Sequence, residues 1–299
     1  MSIVEIILPL LLVAACGYGA SRSRWFSAEM VKGVSVLAFY ICIPALLFSA
    51  MLKVPLESSL NPAVLMAFYL PVVSVFLLTL AVAALIGTRG VKHSAVLGLG
   101  GSYSNTLLVG LPVIIAAYGE AQMANVFLII PFHSAVLFGL TFVISGFGKP
   151  LELIKSLVFN PVVSSIGLGL LGNVLGLSLP VTLDAALEML AKPAIPCALF
   201  VLGANLNQYR LSGAMTSVVS LSLVKLLLLP AMVYWLGSSL ELSSLERAVT
   251  VLLAASPLGV NAYLIAVQVK QHEKEIAGAV VLSSTLAVVS VSFWLWLLS

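Results

Sequence analysis

Two short segments gather the residue types that hold small polar molecules inside an otherwise apolar chain. The first runs Gly98-Leu99-Gly100-Gly101-Ser102-Tyr103-Ser104-Asn105-Thr106-Leu107-Leu108-Val109-Gly110-Leu111-Pro112, the second Ala254-Ala255-Ser256-Pro257-Leu258-Gly259-Val260-Asn261-Ala262-Tyr263. Glycine and proline weaken a helix, and proline also removes a backbone donor and clashes with the preceding turn. In hydrocarbon a freed backbone group needs a partner, so breaks persist only against protein or a water-filled cavity. Gly101, Ser104, Gly110, Ser256 and Gly259 therefore predict two interrupted helices. Each interruption starts a new half-helix whose N-terminus carries about half a positive charge. Its unpaired N–H groups suit an anion. Asn105, Thr106 and Asn261, with the backbone beside Pro112 and Pro257, are the candidate substrate-binding groups. A purely local role competes with this reading, in which Asn105 or Ser104 only caps the helix that follows.

Two ionisable residues join these segments. A charge at the centre of a bilayer costs about 3 kcal/mol or more, so it marks function by default. Lys225 falls near the middle of an apolar run and is a candidate substrate ligand. Equally, it could neutralise the negative C-terminal ends of the half-helices, and the sequence leaves both roles open. His133 lies mid-way along another apolar run and is a candidate proton carrier, against the plainer reading of a neutral, hydrogen-bonded imidazole. No Asp or Glu lies at mid-depth, which argues against cation exchange. Glu188 and Lys192, one helical turn apart, are expected to pair. Cys16, Cys42 and Cys197, and likewise His93 and His272, lack ligand spacing, so no metal is expected. Nucleotide-binding, zinc-hydrolase and nucleophile–base motifs are missing. The chain reads as no enzyme, with no cofactor and no nucleic-acid partner.

Composition explains what must position these groups. Of 299 residues, 61% are hydrophobic and 8% charged. An average soluble domain is about 25% charged, and the mean hydropathy here is +1.18. So few charges could not cover a soluble fold of this size. The chain is expected to be an all-α polytopic membrane protein whose first helix, carrying Glu5 but no Lys or Arg, is retained. A spanning helix needs about 20 mostly apolar residues. Ten candidates follow, at 3–20, 31–51, 62–87, 93–118, 121–147, 157–177, 187–207, 212–236, 247–270 and 275–298. With the N-terminus outside, ten basic residues between Arg22 and Lys274 fall on inner loops and only Lys53 and Arg247 on outer ones. That asymmetry places both termini outside.

The chain also repeats. Ile43-Pro44-Ala45-Leu46-Leu47-Phe48 returns 152 residues later as Ile195-Pro196-Cys197-Ala198-Leu199-Phe200. At the same offset Pro9 matches Pro161, Gly17 matches Gly169, and Asn105 falls opposite Pro257. Residues 1–148 and 149–299 thus read as two five-helix halves of one integrated membrane domain. Five is odd, so the second half inserts inverted, an architecture of secondary transporters with broken helices four and nine crossing at the midplane. Gly167, Gly169, Gly172 and Gly176 include a small-x-x-x-small pattern that suits close packing or a dimer face.

Asn105-Thr106-Leu107-Leu108-Val109-Gly110-Leu111-Pro112 resembles the N-T-L-x-x-G-x-P segment of the auxin efflux carrier family. Tyr118-Gly119, Tyr40 to Phe48, Lys225 to Pro230 and Ser256 to Asn261 are similar to that family as well, so the resemblance covers the whole chain. It implies ten helices in two inverted halves with crossing helices four and nine, as in sodium–proton antiporters and bile-acid transporters. It also implies a homodimer. Plant members place Pro before the helix-four Asn, where this chain has Ser104, and carry a long cytosolic loop where it has about ten residues, Phe147 to Ser156. A bacterial-type permease of the cytoplasmic (inner) membrane is the closer likeness. The expected function is secondary transport of small organic anions, carboxylates such as malate or malonate or auxin-like weak acids, by alternating access. The alternatives are a ligand-binding membrane sensor and a permease for a neutral solute.

Overall fold

The apolar runs fold as helices throughout the residues described by this computed structural model, which are 3–23, 26–54, 61–87, 90–119, 123–146, 159–207 and 213–299. In order they are α1 (Ile3–Arg22), α2 (Ala28–Lys53), α3 (Pro62–Ile86), α4 (Gly90–Ser102), α5 (Thr106–Tyr118) and α6 (Met123–Ser145). After these come α7 (Pro161–Val174), α8 (Val181–Leu206), α9 (Met215–Ser239), α10 (Ser244–Ala255), α11 (Val260–Val269) and α12 (Glu273–Leu298). Seven of them, α1, α2, α3, α6, α8, α9 and α12, are long and apolar enough to cross a bilayer, while α5, α7 and α11 are apolar but shorter. The chain is an integral, polytopic, all-helical membrane protein. The expected runs 93–118 and 247–270 each resolve into two helices, α4 with α5 and α10 with α11. The short connection 147–156, the boundary between the halves, and the basic residues Arg24, Arg89, Lys149, Lys155 and Arg210 lie outside the described residues.

Local chemistry sets the helix ends. Asn61 and Asn160 cap α3 and α7 by accepting backbone N–H groups, and each is followed by proline at the first helical position. Ser243 and Glu246 form a reciprocal capping box at the start of α10. Prolines also shape the helix interiors. Pro44, Pro112 and Pro230 each follow a π-turn, at Ala38–Cys42, Thr106–Gly110 and Val224–Leu228. In all three, the residue before the proline donates to the carbonyl five residues back. A proline cannot donate to the carbonyl four residues back, and widening the turn by one residue accommodates its ring. The Leu226 carbonyl, four residues before Pro230, is taken instead by Ser290 Oγ at 2.8 Å and Trp294 Nε1 at 3.0 Å from α12.

Packing sorts the helices into two groups. In the first, α1 lies along the second part of α8, and α7 lies along the second part of α2. Glycines bring these backbones together. A Cβ at Gly17 would collide with the Phe200 carbonyl, and one at Gly203 with the Ala14 carbonyl. Gly169 meets the Phe48 carbonyl in the same way, and Gly172 meets Leu52. The face of α7 that carries Gly169 and Gly172 is therefore spent inside the chain rather than offered to a second copy. Asn173 ties the far end of α7 to the Met51 and Val54 carbonyls at 2.9 and 2.7 Å. Lys53 pairs with Asp184 and Glu188 at 2.8 and 3.4 Å. Glu188 thus turns to α2 and not to Lys192, which stands in a turn at Lys192–Pro193 that interrupts α8. The second group contains α3 against α4, α6 against α4, and α9, α10, α11 and α12 against one another, with α3 bridging to α9. Contacts between the groups are sparser.

Candidate substrate site at the helix crossover

The two breaks meet. Residues 103–105 and 257–259 leave their helices as extended chain and pair antiparallel, with Ser104 opposite Leu258. Asn105 N–H donates to the Pro257 carbonyl at 2.8 Å, and Gly259 N–H to the Tyr103 carbonyl at 3.1 Å. Two N–H groups remain at the centre of the pairing, and each finds a side-chain acceptor from a neighbouring helix. Ser104 N–H donates to His133 Nε2 on α6 at 2.9 Å. Leu258 N–H donates to Ser283 Oγ on α12 at 3.1 Å. These contacts replace the water that an unpaired amide would otherwise require.

The pairing points the starts of α5 and α11 at one place. The first N–H groups of a helix have no partner within it and carry its positive end. Asn105 Oδ1 caps α5 by accepting from Leu108 N–H at 3.2 Å. Its Nδ2 is buried with no hydrogen-bond partner among the described residues, as are Ser104 Oγ and His133 Nδ1. Asn261 Nδ2 donates to Tyr103 Oη at 3.3 Å, and that phenol also bonds Ser134 Oγ at 2.9 Å. The Tyr103 ring stacks on His133 and Phe138, both at 5.0 Å. Glycine at 259 is required here, since a Cβ would lie 2.5 Å from the Tyr103 ring. Gly110 lets α5 cross α10, because a Cβ would lie 2.8 Å from both Leu253 and Ser256. Gly101 is similarly pressed on Thr79 at 2.5 Å. Ser256 Oγ folds back on the Leu252 carbonyl at 3.0 Å.

A cavity of about 450 Å³ opens at this point between the two helix groups. Asn105, Thr106 and Asn261 line it with Tyr103, Ser104 and Gly259 from the breaks. The opposite wall comes from Ser35 and Tyr40 on α2, Asn160 before α7, and Asn205 on α8. The remaining expected residues fall elsewhere. Pro257 faces a separate, mostly apolar cavity of about 400 Å³ between α1, α5, α8 and α12. Pro112 is buried behind its π-turn and lines neither cavity. Lys225 is fully buried, and its Nζ donates to the Ala254 carbonyl in the last turn of α10. His133 stands behind the break, accepting at Nε2, so its proton is on Nδ1. Ser35, Ser134, Asn160 and Asn205 were not singled out in the sequence. Ser35, Ser134 and Asn205 sit at ordinary helix positions, and Asn160 reads as a helix cap.

A family model for membrane transport proteins matches residues 2–152 and 128–295. The chain belongs to this family, that of the auxin efflux carriers. Its relatives in the family match end to end. It is 24% identical over 308 residues to a Rhizobium meliloti (strain 1021) protein named "Putative malonate transporter", covering 99% of this chain and 96% of that one. An uncharacterized transporter of Methanothermobacter thermautotrophicus is 24% identical over 301 residues, covering 98% of both chains. Another from Methanocaldococcus jannaschii is 25% identical over 310 residues, with 99% and 98% covered. The names indicate a transporter rather than an enzyme.

In this carrier the acceptors behind the crossover make a direct prediction. Ser283→Ala leaves Leu258 N–H unpaired in a dry interior, at a cost of about 1–3 kcal/mol. Thermal unfolding of the purified protein is expected at lower temperature for Ser283→Ala. Ser283→Thr, which keeps the hydroxyl acceptor, is expected to unfold near the wild-type temperature.

Proposed function

We propose that the protein is a secondary transporter of small organic anions, carboxylates such as malonate or malate or auxin-like weak acids, and that it works by alternating access. One observation carries this reading. The polar cavity lies at the meeting point of two half-helix N-termini and between two sparsely connected helix groups. A carboxylate there would meet the opening N–H groups of α5 and α11, the Asn105 amide and Asn261. Movement of one group against the other around the bound anion would then expose it to each side in turn. Lys225 fits the role of a fixed counter-charge to the C-terminal end of α10, as its bond to Ala254 suggests.

The same reading takes the chain as ten crossings in two inverted repeats, with both termini outside the bacterial inner membrane. The packing supports this. Gly17 seats on Phe200 and Gly169 on Phe48, so two residues and their counterparts 152 positions on exchange partners between the halves. The first group holds the first two helices of each half, and the second holds the last three. The test is counterflow in proteoliposomes, with labelled malonate, malate and indole acetate and with Asn105→Ala alongside. Exchange of one of these acids, lost in the variant, would support the site. Silence with every acid in folded protein would sink the anion reading in favour of a neutral-solute permease or a sensor.

A further inference from the structure

We infer that the substrate crosses with a single net negative charge, so that a dicarboxylate is carried as its singly protonated form. This rests on the organic-anion reading above and assigns the charge state that its site accepts. Among the described residues, none that lines the cavity is Lys, Arg, His, Asp or Glu. Tyr40 and Tyr103 line it as phenols. The nearby ionisable groups are turned away. His133 is engaged behind the break by Ser104 N–H, and Lys225 by the Ala254 carbonyl.

The positive potential of the cavity therefore comes from backbone. Each half-helix start contributes about half a unit charge, and α5 and α11 together contribute about one. That matches one carboxylate. A second carboxylate would lie in the cavity without a counter-charge, and a desolvated, unpaired carboxylate takes up a proton instead. A protonated carboxyl group is both donor and acceptor. The wall facing the crossover presents groups of that kind, Ser35, Asn160 and Asn205. The Asn105 amide, buried and with Nδ2 unpartnered, marks the end where the charged carboxylate belongs.

The experiment uses the full-length protein in proteoliposomes loaded with labelled malonate. Inhibition of exchange is read for malonate and for monomethyl malonate, whose single carboxyl group stays ionised, as a monoanion, throughout a pH series kept above the carboxyl's own ionisation. The monoester is expected to inhibit equally well across the series. Malonate is expected to gain potency about tenfold per pH unit as the pH falls toward its second ionisation, then to level off. Malonate potency that stays flat through that range, with an inactive monoester, would overturn the inference and leave the organic-anion site standing. Absence of exchange or inhibition by either compound at any pH would remove both. A second variant reads the charge balance directly. Asn205→Lys puts a cation in the cavity and is expected to raise malonate potency relative to the monoester at neutral pH. A folded, active Asn205→Lys protein with an unchanged ratio would show that cavity charge does not select the substrate.

Discussion

Asn105→Asp is expected to abolish transport while leaving the protein as stable as the parent. The two side chains are nearly identical in shape, and aspartate caps a helix as well as asparagine does. The oxygen that accepts from Leu108 N–H is retained. An acidic group at the start of α5 is also favoured by the helix dipole. What changes is the other end of the amide. Nδ2, buried and without a partner, becomes a carboxylate oxygen at the place proposed for the substrate anion. Two unit charges about 4 Å apart at an effective dielectric constant of about 20 repel by about 4 kcal/mol. That corresponds to roughly three orders of magnitude in affinity. Counterflow with the purified variant should therefore fall to background while its thermal unfolding stays put. Asn105→Ala separates the terms differently, since it loses the cap as well and should unfold about 1 kcal/mol more easily. An Asn105→Asp protein that exchanges organic acids at the parent rate would take Asn105 out of the site.

The crossover was legible in the sequence because it is built from residues that cannot hide in a helix. Pro257 and Gly259 oppose helix continuity and stand in the extended segment, whereas Gly101 and Gly110, expected at the breaks, lie inside α4 and α5, where they allow close packing; the 152-residue offset placed Asn105 against Pro257. The structure joins that pair by a backbone hydrogen bond. Pro112 was read as part of the helix-four break, but nothing in the sequence said that it, Pro44 and Pro230 would each follow a π-turn. The far wall of the cavity was not legible. Ser35 and Asn205 occupy ordinary positions on apolar helices, and only the packing of α2 and α8 against the breaks turns them toward one space. Ser283 was hidden for the same reason, because a serine in a membrane helix usually bonds its own backbone. It does so here as well, at 3.3 Å to the Val280 carbonyl, while also accepting from Leu258. Glu188 misled because a neighbour one turn away is visible in sequence, whereas Lys53 on another helix is not.

Lys225→Met is expected to cut the maximal rate of exchange at least tenfold while the remaining activity keeps its apparent affinity for the acid. The sequence left two roles for this lysine, and geometry separates their consequences. Lys225 does not line the polar cavity, so its loss removes no contact to a ligand bound there. Its Nζ meets the Ala254 carbonyl, where α10 ends in the interior with a partial negative charge and unpaired acceptors. Methionine fills most of the same volume but leaves that carbonyl without its donor, which costs about 1–3 kcal/mol. The loss of the charge adds to this, because α10 then faces the crossover uncompensated. The penalty falls on the conformations that hold the crossover together rather than on a ligand contact, so it should register in rate and thermal stability. Initial rates across a range of acid concentrations, beside unfolding curves for the same preparation, read both quantities. Were Lys225→Met to keep its rate and its stability but need far more acid for half-saturation, the lysine would be a ligand of the substrate, and the crossover would carry a full positive charge during part of the cycle. The monoanion preference inferred from the neutral cavity would then have to fail as well, which ties the two measurements together.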